Sequence, residues 1–318
     1  MNGQPAQATV LPADLVCEAV RHACLAELQA LKPGNVSVYA GGHGMQAEDF
    51  VRSAQAVAPS LAMPGLGVGE RILAAIDATR SAVGCNTNLG IVLLCAPLAH
   101  AALRARPEQS LQAALRETLE SLDERDAELA YRAIRLARPG GMGVVPEHDI
   151  NTHKPRATLL KAMASAADRD RIARQYATNY ADVFGFAEPR LRAGLKRWGS
   201  APWATVSVYL ALLARFGDSL VERKHGLPAV RRLRLAAGYL GTQLAAQDRP
   251  EHMFERLSMY DRLLKGKGIN PGTTADLVVA ALLVKRLHEY RQTTGLMPVT
   301  GRETGSGCRI PPILSLAT

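Results

Sequence analysis

Three polar segments interrupt a chain that otherwise reads as apolar helix. The first is Lys32-Pro33-Gly34-Asn35-Val36-Ser37, followed by His43 and Asp49. It offers a cation, loop amides and short side-chain donors, the parts needed to hold phosphate. A helix-ending loop uses the same residue types, so this segment alone leaves both readings open. The second runs from Gly65-Leu66-Gly67-Val68-Gly69-Glu70 through Asp77 and Thr79 to Cys85-Asn86-Thr87-Asn88-Leu89-Gly90. Its Asn-Thr-Asn cluster opens the most apolar stretch of the protein. Helix capping accounts for one of those side chains. The others need partners, since a buried unpaired polar group costs about 1–3 kcal/mol. The third is Lys265-Gly266-Lys267-Gly268-Ile269-Asn270-Pro271-Gly272-Thr273-Thr274-Ala275-Asp276. Glycine-spaced lysines and hydroxyl residues at a helix start make an anion seat through amides and helix dipole. Asp276, in the first turn, serves either the dipole or a bound Mg²⁺.

The common nucleotide and hydrolase motifs are missing. There is no GxxxxGK[ST], and Gly65-x-Gly67-x-Gly69 lacks the strand and spacing of a dinucleotide fingerprint. No G-x-S-x-G elbow or H-E-x-x-H zinc site occurs. The histidines are scattered, and those in helical text (His22, His100, His252, His288) read as structural. Asp149, Asp182 and Asp218 stand out as carboxylates near a loop or a basic region, because hard Mg²⁺ takes oxygen ligands.

The elements that must position these groups are helical. The 318 residues are 47% apolar and 21% charged, which excludes a disordered or collagen-like chain, and with 5% aromatic residues the core is built from Leu, Val, Ile and Ala. Spacings of three and four predict helices over 13–31, 48–58, 69–82, 87–105, 109–137, 157–178, 202–216, 226–246, 249–265 and 274–292. Residues 89–104 are apolar almost all round, as a central buried helix requires, with Pro97 expected to kink it or start a second helix. The expected architecture is all-α: a single compact multi-helix domain over 13–292, a flexible N-terminus over 1–12, and a poorly ordered tail over 293–318. Residues 139–156 form the longest irregular segment, the kind of loop that is usually functional or mobile.

Five cysteines without a CxxC pair fit neither a disulfide framework nor a zinc knuckle, and point to a reducing, cytoplasmic setting. No signal peptide and no membrane span is legible. The net charge of +9 and the excess of Lys and Arg between Arg190 and Arg249 suit a polyanion: nucleic acid, ATP or a coenzyme pyrophosphate. A non-enzymatic nucleic-acid binder would explain that charge but not the amide cluster beside an apolar helix. A Mg²⁺-dependent hydrolase of ribosylated substrates is the other competing reading. Ala-rich helix faces could also serve a homodimer.

In their order and spacing the Lys32–Ser37 segment, the Gly69-Glu70 helix ending in Asn86-Thr87-Asn88-Leu89-Gly90-Ile91, and Asn270–Asp276 resemble the triphosphoribosyl-dephospho-CoA synthase family. The resemblance extends over residues 13–292. It implies an all-helical transferase that moves the triphosphoribosyl group of ATP onto a ribose hydroxyl of 3'-dephospho-CoA and frees adenine, with Mg²⁺ as cofactor. Asn88-Leu89-Gly90 stands where the citrate-lyase branch is expected to carry His-Lys-Gly. The sequence therefore resembles a divergent branch, similar to homologues that accompany one-carbon coenzyme pathways, and the alternative reaction is ribosyl transfer to another coenzyme precursor. On this reading Lys32, Gly34, Asn35, Ser37, Asn270, Gly272, Thr273 and Thr274 bind phosphate, and Glu70 and Asp276 bind Mg²⁺. Asn86, Thr87 and Asn88 position ribose and base, with Asn88 counted among the catalytic residues. Asp49 or Asp149 serves the acceptor hydroxyl as catalytic carboxylate, and Arg223 and Lys224 meet the second substrate's phosphates.

Overall fold

The computed structural model describes residues 10–139 and 156–296; the N-terminus up to residue 9, most of the 139–156 loop and the tail from residue 297 lie outside the described residues. Among those described there are thirteen α-helices and no strand, only two isolated bridges, Ser37 to Ala40 and Gly42 to Met45. The first four helices are α1 (Ala13–Leu28), α2 (Ala47–Ala62), α3 (Val68–Val83) and α4 (Leu89–Arg104). Next come α5 (Leu111–Glu120), α6 (Glu124–Ala137), α7 (Leu159–Ala166) and α8 (Arg171–Ala177). The remainder are α9 (Glu188–Trp198), α10 (Ala201–Phe216), α11 (Ser219–Ala245), α12 (Phe254–Gly266) and α13 (Gly272–Thr293).

As its composition predicts, α4 is the central helix: every residue from Gly90 to Ala99 is buried. It packs against α1, α2, α3, α5, α8 and α13. Pro97 neither breaks nor restarts it. Proline leaves the carbonyl of Leu93, four residues back, without its helical donor. The buried hydroxyl of Tyr176 supplies one at 2.6 Å, and that of Tyr180 bonds the carbonyl of Leu94 at 2.9 Å. Tyr176 thus replaces the bond that a proline in the middle of the core forfeits.

Several expected helices divide where side chains cap new starts. The run over 109–137 breaks at Asp123, which accepts the amide of Asp126 at 2.8 Å and begins α6. The run over 157–178 breaks at Asp170, whose Oδ1 accepts the amides of Ile172 and Ala173 and begins α8. The helix expected from 226 starts at Ser219 and passes a break at Gly226, whose φ of 74° no ordinary helix contains. A π-turn (Val183–Ala187) and α9 fill a stretch where the periodicity predicts no helix. At the ends, Leu11 is already buried, and α13 is followed by a packed Leu296 whose carbonyl accepts the amide of Glu108 at 3.2 Å. No single described helix is long and apolar enough to cross a membrane.

Candidate functional site

The three polar segments meet around a cavity of about 870 Å³. Its walls are the starts of α4, α11 and α13, the loop after α1, and a face of α6 and α7. Each segment is held in place by identifiable bonds.

The Lys32–Ser37 loop is clamped to the segment before α13. Gly34 has φ of +87°, and a β-carbon there would lie 2.9 Å from the carbonyl oxygen of Ile269 and 2.9 Å from Pro271 Cδ. Only glycine tolerates that conformation and that approach. The Gly34 amide donates to Asp261 Oδ1 at 2.8 Å, and Tyr209 donates to the carbonyl of Pro33 at 2.8 Å. Asn35 Nδ2 then donates to Asn270 Oδ1 at 2.8 Å, joining two motifs 235 residues apart on the cavity wall. His43, also on this wall, bonds the carbonyl of Gly34 through Nε2 at 2.8 Å.

The Asn-Thr-Asn cluster divides its work. Asn86 Oδ1 accepts the amide of Leu89 at 3.1 Å and is the capping side chain. Thr87 and Ser53 hydroxyls lie 2.6 Å apart; since Ser53 donates to the carbonyl of Asp49, Thr87 donates to Ser53. Asn88 is buried, accepts from the Thr79 hydroxyl at 3.1 Å, and lines the cavity.

The α11 and α13 starts are joined by Asp218. Its Oδ1 accepts the amide of Val221 at 3.0 Å, and its Oδ2 accepts both the amide and the hydroxyl of Thr274 at 2.8 Å. Beside it, the Ser219 hydroxyl donates to Thr273 Oγ1 at 3.1 Å, placing both on the cavity. One turn into α13, Asp276 reaches the α4 start, where Gly90 leaves room for its carboxylate and the amide of Ile91 bonds it.

The electrostatics have two poles. Burial holds the Asp276 carboxyl well above the usual carboxylate range, and the neighbouring charges of Glu27, Asp218 and Asp170 push the same way. Burial likewise raises the Glu27 carboxyl and lowers the Lys32 ammonium, each opposed by the other's charge. At the other pole Arg138, Arg169, Arg223 and Lys224 line the cavity, with Arg223 3.6 Å from Asp170.

Of the residues expected from sequence, the structure brings Asn35, Asn86, Thr87, Asn88, Arg223, Lys224, Asn270, Gly272, Thr273 and Asp276 onto this one cavity. Others are corrected. Lys32 is fully buried and spends its ammonium on Glu27 Oε1 at 3.1 Å and on the carbonyls of Glu27, Ala30 and Val36, so it braces the loop and leaves no donor for phosphate. Thr274 is committed to Asp218, and Gly34 and Ser37 shape the loop from outside the cavity lining. Asp49 Oδ2 accepts the amide of Gln46 at 2.8 Å, a helix-capping bond, and Asp49 is not among the residues that line the cavity. Glu70 caps α3 through the amide of Gly67 at 2.9 Å and faces a separate groove between α3 and α6, apart from Asp276. Asp149 lies outside the described residues. Asp182 forms a two-pronged pair with Arg171 at 2.7 and 2.9 Å, again structural.

The sequence assigned no separate role to Gly90, Glu27, Arg169 or Asp170. Gly90 and Glu27 carried a faint signal, a glycine inside a buried helix and an acid one turn before a buried lysine. Arg169 and Asp170 carried none, because they sit between two short helices whose junction the periodicity did not show.

The all-helical body carries a cavity lined by amide, acidic and cationic side chains. The chain belongs to the ATP:dephospho-CoA triphosphoribosyl transferase family, whose profile matches residues 13–295. The transferred group is the triphosphoribosyl part of ATP and the acceptor of the family reaction is dephospho-CoA. Among solved structures, a candidate triphosphoribosyl-dephospho-CoA synthase from Archaeoglobus fulgidus shares the fold, with a TM-score of 0.56 at 22% identity over 73% of this chain and 95% of that one. No curated protein matches the chain.

Proposed function

We propose that the cavity is where ATP gives up its triphosphoribosyl group. The observation that carries this reading is the convergence of the Asn35–Asn270 pair, Asn88, Asp276, Arg223 and Lys224 on one cavity. Asp218 and Asn86 already occupy amides of the three helix starts, so the anion-holding work falls to side chains. Arg223 and Lys224, with the Thr273 and Ser219 hydroxyls below them, are the groups suited to the triphosphate. Asn86 and Asn88 then position ribose and adenine.

In the reaction the bond from ribose C1' to the purine nitrogen breaks and its electron pair leaves with adenine. The acceptor oxygen bonds C1', its hydroxyl proton departs, and adenine takes up one proton. Positive charge gathers on the sugar meanwhile, and a carboxylate lining the cavity, such as Asp170, favours it electrostatically. Asp170, whose Oδ2 is only loosely paired with Arg223 at 3.6 Å, is the carboxylate suited to receive the hydroxyl proton.

Mg²⁺ fits as an ion carried by the triphosphate. Among the described residues no group of three or more His, Cys, Asp or Glu forms a metal cage. Mg²⁺ bound with phosphates needs only one or two carboxylates. Asp276, on the cavity and beside the carboxyls of Glu27, Asp218 and Asp170, is the residue that would hold it. When bound, the ion would neutralise phosphate charge. The described cysteines Cys17, Cys24, Cys85 and Cys95 are free thiols, which supports a reducing, cytoplasmic setting.

Purified protein with ATP, Mg²⁺ and dephospho-CoA is expected to release free adenine and form a product heavier by one triphosphoribosyl group. ADP or AMP without adenine would overturn the reading. Arg223→Ala is expected to raise KM for ATP.

A further inference from the structure

The cavity has a second wall that the triphosphate and the departing purine do not use. It is formed by Tyr131 and Ile134 of α6 and by Leu159, Ala162 and Met163 of α7, which together present hydrocarbon and one aromatic ring. Ile172, at the start of α8, comes so close to Gly90 that a β-carbon there would lie 2.7 Å from its Cδ1. At the far end of the same two helices stand cations: Arg138 directly follows α6, and Arg169 follows α7 with its guanidinium on the carbonyl of Ser165 at 3.1 Å. The cavity lining thus holds apolar surface from α6 and α7 together with the guanidinium groups of Arg138 and Arg169.

We infer that this wall is the acceptor subsite, receiving a nucleotide whose flat base lies on Tyr131, Ile134 and Met163 and whose diphosphate meets Arg138 and Arg169. The inference rests on the transferase reading and assigns the place of the second substrate within it. A leaving purine needs hydrogen bonds to its ring nitrogens, which the amide wall offers and the hydrocarbon wall does not. An acceptor nucleotide needs its hydroxyl at the floor, a surface for its base, and a counter-charge at diphosphate distance. The α6–α7 wall offers the surface and Arg138 and Arg169 the counter-charge, and a methionine beside an aromatic suits a ring through sulfur–aromatic and stacking contacts.

The test measures dephospho-CoA binding by calorimetry without ATP, then steady-state transfer, for the wild type, Met163→Ala, Arg169→Ala and the conservative Met163→Leu and Arg169→Lys. Phosphopantetheine, which lacks the nucleotide base, is the comparison ligand. The wild type is expected to bind dephospho-CoA well and phosphopantetheine poorly. Each alanine variant is expected to weaken dephospho-CoA binding and raise its KM by about tenfold or more. Their KM for ATP stays at the wild-type value, and the conservative variants recover most of the loss. A raised KM for ATP, an unchanged KM for dephospho-CoA, or equal affinity for phosphopantetheine overturns the subsite. Absence of dephospho-CoA binding to the wild type overturns it too. Binding that is lost in the alanine variants while the wild type forms no adenine supports the subsite and overturns the transfer reading instead.

Discussion

Asp276 occupies space that exists only because residue 90 has no side chain: a β-carbon on Gly90 would lie 2.0 Å from Asp276 Oδ2. The contact joins the first turn of α13 to the first turn of α4, the two most thoroughly buried helices of the protein. It brings the third polar segment onto the second, which no spacing along the chain would suggest.

Gly90→Ala should therefore act on Asp276 more than on α4. Alanine is the better helix former, yet the overpacked site should cost about 1–3 kcal/mol of stability. Displacing a carboxylate by about an ångström should lower kcat about a hundredfold. Thermal melts together with adenine release measure both. Wild-type turnover in the Gly90→Ala variant would show that Asp276 has no part in the reaction.

The raised Asp276 carboxyl has a pH signature. The native state holds this proton more tightly than the unfolded chain does. Its contribution to stability is complete below pH about 4 and is lost as pH rises through the elevated native pKa. Asp276→Asn removes that loss. Relative to wild type, its melting temperature should rise steadily from acid to alkaline pH while its turnover stays low throughout. A melting difference independent of pH would mean that the burial of this carboxyl is already compensated.

Lys32 separates a structural lysine from a phosphate-binding one. Lys32→Met leaves Glu27 buried without its cation and should cost about 3–5 kcal/mol. KM for ATP, measured well below the melting temperature, should stay unchanged, and Glu27→Gln added to Lys32→Met should restore part of the stability. A large rise in KM for ATP with unchanged stability would return Lys32 to the phosphate.

The Asn35–Asn270 bond can be isolated by a double-mutant cycle. Each alanine substitution should cost about 1 kcal/mol, and the pair should cost less than the sum, because either change alone already breaks the bond. Both variants should also lose turnover, since the bond joins the loop after α1 to the segment before α13 at the cavity. Strict additivity in chemical denaturation would show that the two loops are positioned independently.

What the sequence determined by itself follows from local rules. Periodicity gave the all-helical class and the central place of residues 89–104, because an apolar surface on every side can only be buried. The Lys32–Ser37, Asn86–Asn88 and Asn270–Asp276 segments were legible as chemistry because polar side chains inside apolar text need partners. Tertiary structure decided which partners those were. A buried lysine looks identical in sequence whether it meets a phosphate or Glu27, and Asp49 and Glu70 look identical whether they serve a hydroxyl, a metal or a helix cap. Proline inside α4 announced a break, yet the hydroxyl of Tyr176, 83 residues away, supplies the missing bond. Each such choice depends on which atoms the packing of distant helices brings within about 3 Å, the range where a hydrogen bond forms.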